Sequence, residues 1–299
     1  KRATATPLSA FKLGEILKEA GLPEDAFCVL VGSGSTVGNW LVEDPRPAMV
    51  TFTGSPPVGE AITRRAGIKK ITLELGNNGG VIMEPDADWK SAVSRCVMSA
   101  FANSGQICIS LQRLYVHEDI SREFTQSFLE ATAKLKVGNP LDQDCDVGPM
   151  ISEEEAVRAE SWVKEAVSQG AKIIAGGRRR GPVFEPTVLG NVTEQMKVMC
   201  QEVFAPVVSI APYKDFNEAL ERLANSSYGL QAGVFTSNIA KALKAVKALD
   251  VGGVMINDTS IFRVDNMPYG GNKLSGLGRE GVRFAMDEMT NIRMVVIKP

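Results

Sequence analysis

With 299 residues, 44% hydrophobic and 23% charged, the chain reads as a globular protein able to bury a core of one large domain or two ordinary ones. Its 33 basic and 35 acidic side chains leave a formal charge of −2, so no bulk field favours nucleic acid or an anionic membrane. The longest apolar stretches, such as 205–212 and 295–297, are too short to span a bilayer and read as buried strands.

From Thr6 an apolar pattern at Leu8, Phe11, Leu13, Ile16 and Leu17 has helical spacing, with Thr6 as N-cap, Pro7 at the first helical position and Gly21 closing the helix. A buried strand is expected at 27–31, then a Gly32-Ser-Gly-Ser35 turn, a short helix and a second strand near 49–52. After Thr53-Gly-Ser-Pro-Pro57 a helix runs to about Ala66, and 70–75 makes the next strand. This is strict α/β alternation. The pattern restarts beyond Gly76-Asn-Asn-Gly-Gly80 with a strand at 81–83 and a long helix from about Asp88, which suggests a domain boundary near residue 77. Further helices are expected near 121–134 and 152–169, and strands near 172–174, 207–211 and 231–235. Residues 257–281 carry little periodicity and form a connection long enough to suggest function. The end, 290–298, reads as a lone apolar strand that pairs with another element or subunit.

Five cysteines, Cys28, Cys96, Cys108, Cys145 and Cys200, are odd in number, widely spaced and without a CxxC pair or a secretory leader, which suits a reducing cytoplasm. The single histidine, His117, excludes a histidine-rich metal site, so no metal is expected; its place at a strand end reads as structural. Cys108 follows a Gly105-Gln106 turn at the end of a long helix, where backbone amides can stabilise a thiolate, although a cysteine with apolar neighbours is by itself more often a small buried hydrophobe. Glu74 ends an otherwise apolar strand. Buried, it would have its pKa raised toward that of a general base; on the alternate face it would simply meet solvent. Phe52-Thr-Gly-Ser-Pro-Pro-Val-Gly59 places a turn before a helix N-terminus that can hold a pyrophosphate or serve as an ordinary connection.

Taken together and in order, Phe52-Thr-Gly-Ser-x-x-x-Gly59, Leu73-Glu-Leu-Gly76, Asn103-x-Gly-Gln-x-Cys108, Gln201-Glu-Val-Phe-Ala-Pro206, Pro268-Tyr-Gly-Gly271 and Lys273-x-Ser-Gly-x-Gly-Arg-Glu280 resemble the motifs of the aldehyde dehydrogenase superfamily. The resemblance covers essentially the whole chain and leans toward branches acting on lactaldehyde, semialdehydes and glyceraldehyde 3-phosphate by the non-phosphorylating route. It implies an α/β protein. Residues 1–76 would be part of a Rossmann-like NAD(P) domain, 77–286 the catalytic domain, and 287–299 an oligomerisation tail of a homodimer or homotetramer.

The same resemblance implies that Cys108 attacks the aldehyde, that hydride leaves the thiohemiacetal for the nicotinamide, and that Glu74 activates the water that hydrolyses the thioester. Lys1 resembles the lysine that contacts the adenosine ribose, Ser55 the pyrophosphate serine, Glu202 the nicotinamide-ribose glutamate, and Phe204 the residue flanking the nicotinamide; Gly54, Gly59 and Leu75 belong to the same cradle. Thr4 stands where NAD-preferring relatives often carry a glutamate, so the cofactor is NAD or NADP. Phe262 and Arg263 lie in the loop expected to meet the substrate, and Arg263 either grips an anionic tail or pairs with Asp265.

Relatives that pass the acyl group to coenzyme A generally lack this glutamate, which favours an acid as product over a coenzyme A-acylating reaction. The upstream segment that supplies an oxyanion asparagine in relatives does not occur here, and the chain starts at Lys1 without a methionine. The expectation is therefore a fragment, weakly active or serving a structural or binding role by itself, of an active parent, since an oxyanion donor contributes ~10²- to 10³-fold in rate.

Overall fold

A computed structural model describes residues 1–299. The chain divides into two compact units, one made of Lys1–Phe52 with Pro57–Thr72 and the other of Thr53–Pro56 with Leu73–Pro299.

In the first unit α1 (Leu8–Glu19) follows the predicted periodicity. It starts one residue later than expected: Pro7, not Thr6, holds the N-cap position, with no side-chain cap. Gly21 closes it in the left-handed region at φ +89°. The strand expected at 27–31 does not form a ladder. Its one interstrand-type bond runs from Arg2 N–H to Leu30 O at 3.4 Å, and Phe27, Leu30 and Val31 remain exposed, because an extended segment becomes a strand only where a partner accepts its backbone bonds. The glycine-serine turn leads through a π-helical turn at Gly34–Gly38 into α2 (Asn39–Glu43). β1 (Met49–Thr53), α3 (Pro56–Arg65) and β2 (Lys70–Glu74) complete the alternation read from sequence.

The second unit is a three-layer α/β body. Its strands are β3 (Gly80–Met83), β4 (Arg113–His117), β5 (Lys172–Ala175), the small hairpin β6 (Arg179–Arg180) and β7 (Val183–Phe184), β8 (Thr187–Gly190) and β9 (Val207–Tyr213). β10 (Tyr228–Gly229), β11 (Gln231–Phe235), β12 (Gly253–Ile256), β13 (Asn272–Lys273) and β14 (Gly276–Leu277) follow. The helices are α4 (Trp89–Phe101), α5 (Glu118–Thr132), α6 (Glu153–Ser168), α7 (Lys197–Cys200), α8 (Phe216–Ala224), α9 (Ile239–Ala248) and α10 (Val282–Met289).

Seven strands form one sheet in the order β12-β11-β3-β4-β9-β8-β5, parallel except for the antiparallel edge strand β5. Its central strands are near-continuous apolar runs because both faces are covered. Alternate residues serve opposite layers: Val81, Met83, Leu114, Val116, Val208 and Ile210 pack with α4 and α5, whereas Ile82, Tyr115, Val207 and Ala211 pack with α6, α8 and α9. The helices expected from about Asp88 and residue 152 start on side-chain caps: Asp88 accepts from Ser91 N–H, and Ser152 from Glu155 N–H. His117 caps α5 through Nδ1 to Asp119 N–H at 3.3 Å, the structural role expected of it. The loop read as 257–281 is not wholly irregular, since it contains β13 and β14. The terminal strand expected at 290–298 is absent: the segment has no ladder partner in this chain, and Met294 through Ile297 are exposed.

Candidate active site

Cys108 owes its position to an abrupt stop after α4. A 3₁₀ turn at Ala102–Gly105 puts three successive residues, Asn103, Ser104 and Gly105, in the left-handed region at φ 50°, 57° and 69°. Such backbone costs free energy outside glycine and persists where surroundings over-determine it. Here they do. Ser104 Oγ donates to Gly148 O at 2.8 Å, Asn103 Nδ2 donates to Gln106 O at 3.1 Å, and Ile151 N–H donates to Gln106 Oε1 at 2.9 Å. Gly105 is obligatory, since a Cβ there would lie 2.1 Å from Ala205 O.

The turn delivers the half-buried Cys108 sulfur to Tyr269, whose hydroxyl lies 3.0 Å from Sγ. Tyr269 belongs to the Pro268-Tyr-Gly-Gly271 motif, in which no local pattern marks it as functional. Burial pushes the thiol up from its ordinary value and the Glu202 and Glu74 carboxylates push it further, against the Tyr269 hydrogen bond and Arg263. The helix that precedes Cys108 in the chain, α4, ends before it with its C-terminal end, which carries the wrong partial charge for an anion.

Glu74 resolves its own ambiguity in favour of burial, at 5% exposure. It sits at the end of β2, opposite Gly276 of β14, and its backbone oxygen accepts from Gly54 N–H at 3.0 Å. Neither carboxylate oxygen has a protein hydrogen-bond partner. Burial, helped by the charge of Glu280 and opposed by Arg263 and Arg279, raises its pKa from 4.5 to about 8. A group raised in this way contributes stability that is fully present below about pH 4.5 and is lost as pH climbs through about 8. Glu74→Gln is thus expected to raise the melting temperature more at about pH 9 than at about pH 5, as calorimetry at both values would reveal; equal shifts would contradict a carboxyl held neutral by burial.

Glu202 is the third acidic group. Its Oε1 accepts from Asn77 N–H at 2.8 Å, and a Cβ on Gly76 would fall 2.4 Å from Oε2, so glycine after Leu75 is what admits the carboxylate. Burial raises Glu202 to about 7, with the Asn77 bond and Arg158 opposing. Phe204, two residues on, is held at φ 49° and exposes its ring beside a groove that Asn77, Gly105, Ile107 and Glu202 also line. These residues suit a flat ring with an attached hydroxyl-bearing sugar: an exposed aromatic face and a carboxylate acceptor share one groove. Leu75 donates its N–H to Ser275 O at 2.9 Å. Gly54 and the exposed Ser55 precede α3, where Pro56 and Pro57 remove two N–H donors from the helix start and leave the serine hydroxyl as the adaptable polar group. In the first unit Gly59 is buried within α3, while Lys1 and Thr4 are exposed, with Arg2 donating to Thr4 O at 2.8 Å.

Arg263 pairs with Glu280 at 3.0 Å, not with Asp265, and its guanidinium lies 3.9 Å from the centre of the Tyr269 ring. Phe262 is exposed, and its carbonyl accepts from Gln231 Nε2 at 3.0 Å. No group of histidine, cysteine and carboxylate side chains is arranged to hold a metal ion, and no helix is long and apolar enough to cross a membrane.

The sequence model of the aldehyde dehydrogenase family matches residues 1–295. A 3-sulfolactaldehyde dehydrogenase of Priestia aryabhattai is 50% identical over 297 residues, which is 99% of this chain and 62% of that protein. A lactaldehyde dehydrogenase of Methanococcus aeolicus is 44% identical, over 95% of this chain and 61% of that protein. Among solved structures, glyceraldehyde-3-phosphate dehydrogenase from Methanocaldococcus jannaschii complexed with NADP superposes with a TM-score of 0.95 at 42% identity, covering 99% of this chain and 65% of that one. Aldehyde dehydrogenase 21 from Physcomitrella patens, complexed with the product succinate, gives 0.91 at 45% identity over 95% of this chain and 59% of that one. The chain spans about three fifths of the length of the curated relatives it matches.

Proposed function

The chain belongs to the aldehyde dehydrogenase family, and on that premise we propose that it carries the nucleophile, the deacylating base and part of the cofactor site of an NAD(P)-dependent oxidation of an aldehyde to a carboxylic acid. One observation carries the reading: a buried carboxylate with no protein partner, Glu74, lies close enough to the Cys108 thiol that its charge opposes the thiol's ionisation. A buried carboxylate without a protein partner is suited to proton transfer.

In this mechanism Cys108 attacks the aldehyde carbon as its thiolate and forms a thiohemiacetal. A nicotinamide held by Glu202 and Phe204 would supply the hydride acceptor, by which this adduct becomes a thioester. Glu74, as carboxylate, removes a proton from water as that water adds to the thioester carbonyl; collapse releases the acid and returns the thiolate. Glu202 and Phe204 hold the nicotinamide end, and Gly54, Ser55, Gly59, Leu75, Lys1 and Thr4 hold the remainder of NAD or NADP. Residues 1–76 serve as part of the cofactor domain, 77–286 as the catalytic domain, and 287–299 as the tail through which copies associate as a dimer or tetramer. A reducing cytoplasm suits an enzyme whose nucleophile is a free thiol.

The substrate class is a small polar or anionic aldehyde. Arg263 supports it: the guanidinium sits over the ring that touches the nucleophile, with donors beyond the one bonded to Glu280. The relatives' names also point to anionic compounds, a sulfonate in one and a phosphate in another. Arg263→Ala is expected to lower kcat/KM for aldehydes bearing a carboxylate, sulfonate or phosphate by about 10- to 100-fold, the equivalent of one charge-assisted hydrogen bond, and by much less for neutral aldehydes. Unchanged selectivity between charged and neutral aldehydes would remove the idea. The function itself is tested by assaying the full-length protein for NAD and NADP reduction across such a panel, with the product identified in the presence and absence of coenzyme A. Free acid in both cases supports the hydrolytic reading; an acyl-coenzyme A product would replace it.

A further inference from the structure

We propose that Tyr269 is the positioning residue of the nucleophile, donating its hydroxyl hydrogen bond to Cys108 Sγ so that the sulfur is both aimed and favoured as thiolate. The inference rests on the reading of Cys108 as nucleophile.

The hydroxyl and the sulfur are 3.0 Å apart although 161 residues separate them in the chain. The ring is held on every side. It is 3% exposed, packs with Ile109 and Leu230, and lies under the Arg263 guanidinium, while its backbone exchanges bonds with Glu280 at 3.1 Å and 2.6 Å. An aromatic fixed in this way leaves its hydroxyl one direction, toward the sulfur.

The charged and titratable groups that face Cys108 are Tyr269, Glu202, Glu74 and Arg263. Two of them are carboxylates that disfavour a second negative charge. Arg263 acts across the Tyr269 ring, so Tyr269 is the group that meets the sulfur directly. Burial and the neighbouring Cys108 and Glu74 push the phenol far above its ordinary range, which keeps it protonated and therefore a donor. A guanidinium on its ring face withdraws electron density and makes the hydroxyl a better donor. The imidazole that activates many catalytic cysteines has no counterpart here, because the single histidine caps α5.

The test is the pH dependence of Cys108 alkylation by iodoacetamide in the full-length enzyme and in its Tyr269→Phe variant, read by peptide mass spectrometry. Phenylalanine keeps the ring, its packing and the Arg263 stack, so folding is retained. The exposed Cys28 and Cys200 serve as internal controls. Loss of one hydrogen bond to a charged group is expected to move the Cys108 profile up by about one pH unit, with the high-pH plateau and both controls unchanged. Turnover should fall about tenfold near neutral pH and recover toward the native rate at high pH, because the thiolate fraction recovers there. An unshifted Cys108 profile would overturn the proposal, as would a shifted profile with native turnover near pH 7. Failure of the underlying reading looks different: Cys108→Ser would then retain turnover, whatever the alkylation profile of the tyrosine variant.

Discussion

Replacing Cys108 by alanine in the full-length enzyme is expected to lower aldehyde-dependent cofactor reduction by roughly 10⁴- to 10⁶-fold, the scale seen when a covalent nucleophile is removed. The size follows from the step that is lost. Without sulfur there is no thiohemiacetal from which hydride can leave and no thioester to hydrolyse, and an aldehyde bound in the groove is left to react as its hydrate. The fold should survive, because Cys108 lies at the margin of a small cluster with Ile107, Ile109, Leu230 and Tyr269 and contributes nothing to the two large cores. Binding of NAD(P), followed by quenching of intrinsic fluorescence, should be unchanged within a fewfold. Among the other thiols, burial drives Cys96 far above the ordinary thiol range, so it offers no substitute. Retention of even a few per cent of turnover would place the nucleophile elsewhere.

Glu74→Gln should separate the two halves of the reaction. The amide keeps the volume and loses the base, so the first turnover should proceed and the second should wait. Mixing enzyme with cofactor and aldehyde is then expected to release about one equivalent of reduced cofactor per site in a burst, followed by a steady state slower than native by on the order of 10²- to 10⁴-fold, the usual contribution of a positioned general base. Intact-protein mass spectrometry during the slow phase should find the acyl group on Cys108. The pH dependence carries the sign. The active form is the ionised carboxylate, and burial has raised its pKa to about 8, so native deacylation should climb as pH rises through about 8 and level off above it. The variant should lose that inflection. A variant lacking the burst as well as the steady state would move Glu74 to a step before the thioester, and one with native steady-state turnover would remove it from the mechanism.

Much of the framework was legible because strand and helix periods are local properties. Residues 231–235 and 81–83 read as buried strands from their apolar runs, and the helices from about Asp88 and residue 152 read from their own periodicity. The segments 27–31 and 290–298 have equally apolar sequences and are not strands here, since a ladder requires a partner that composition does not name. The same limit governed the site. Order and spacing of motifs singled out Cys108, Glu74 and Glu202 as residue types, but not their electrostatics.

Glu74 could face solvent or core on sequence alone. β14, some 200 residues later, pairs with its strand, the folded chain buries it, and that burial rather than any neighbour in sequence raises its pKa. Asp265 was the near candidate for Arg263, yet the chain folds back so that Glu280 takes the pair. Tyr269 carried no local signal at all, because a tyrosine between proline and glycine acquires a role only when a turn 161 residues earlier aims a sulfur at its hydroxyl. The sequence by itself determined the family, the α/β alternation and the chemical inventory, all of which depend on residue identity and short-range spacing. Tertiary structure alone decided which groups lose water, which charges face one another and which hydroxyl meets the thiol, because desolvation and Coulomb energy depend on distances that the chain sets only after it has folded.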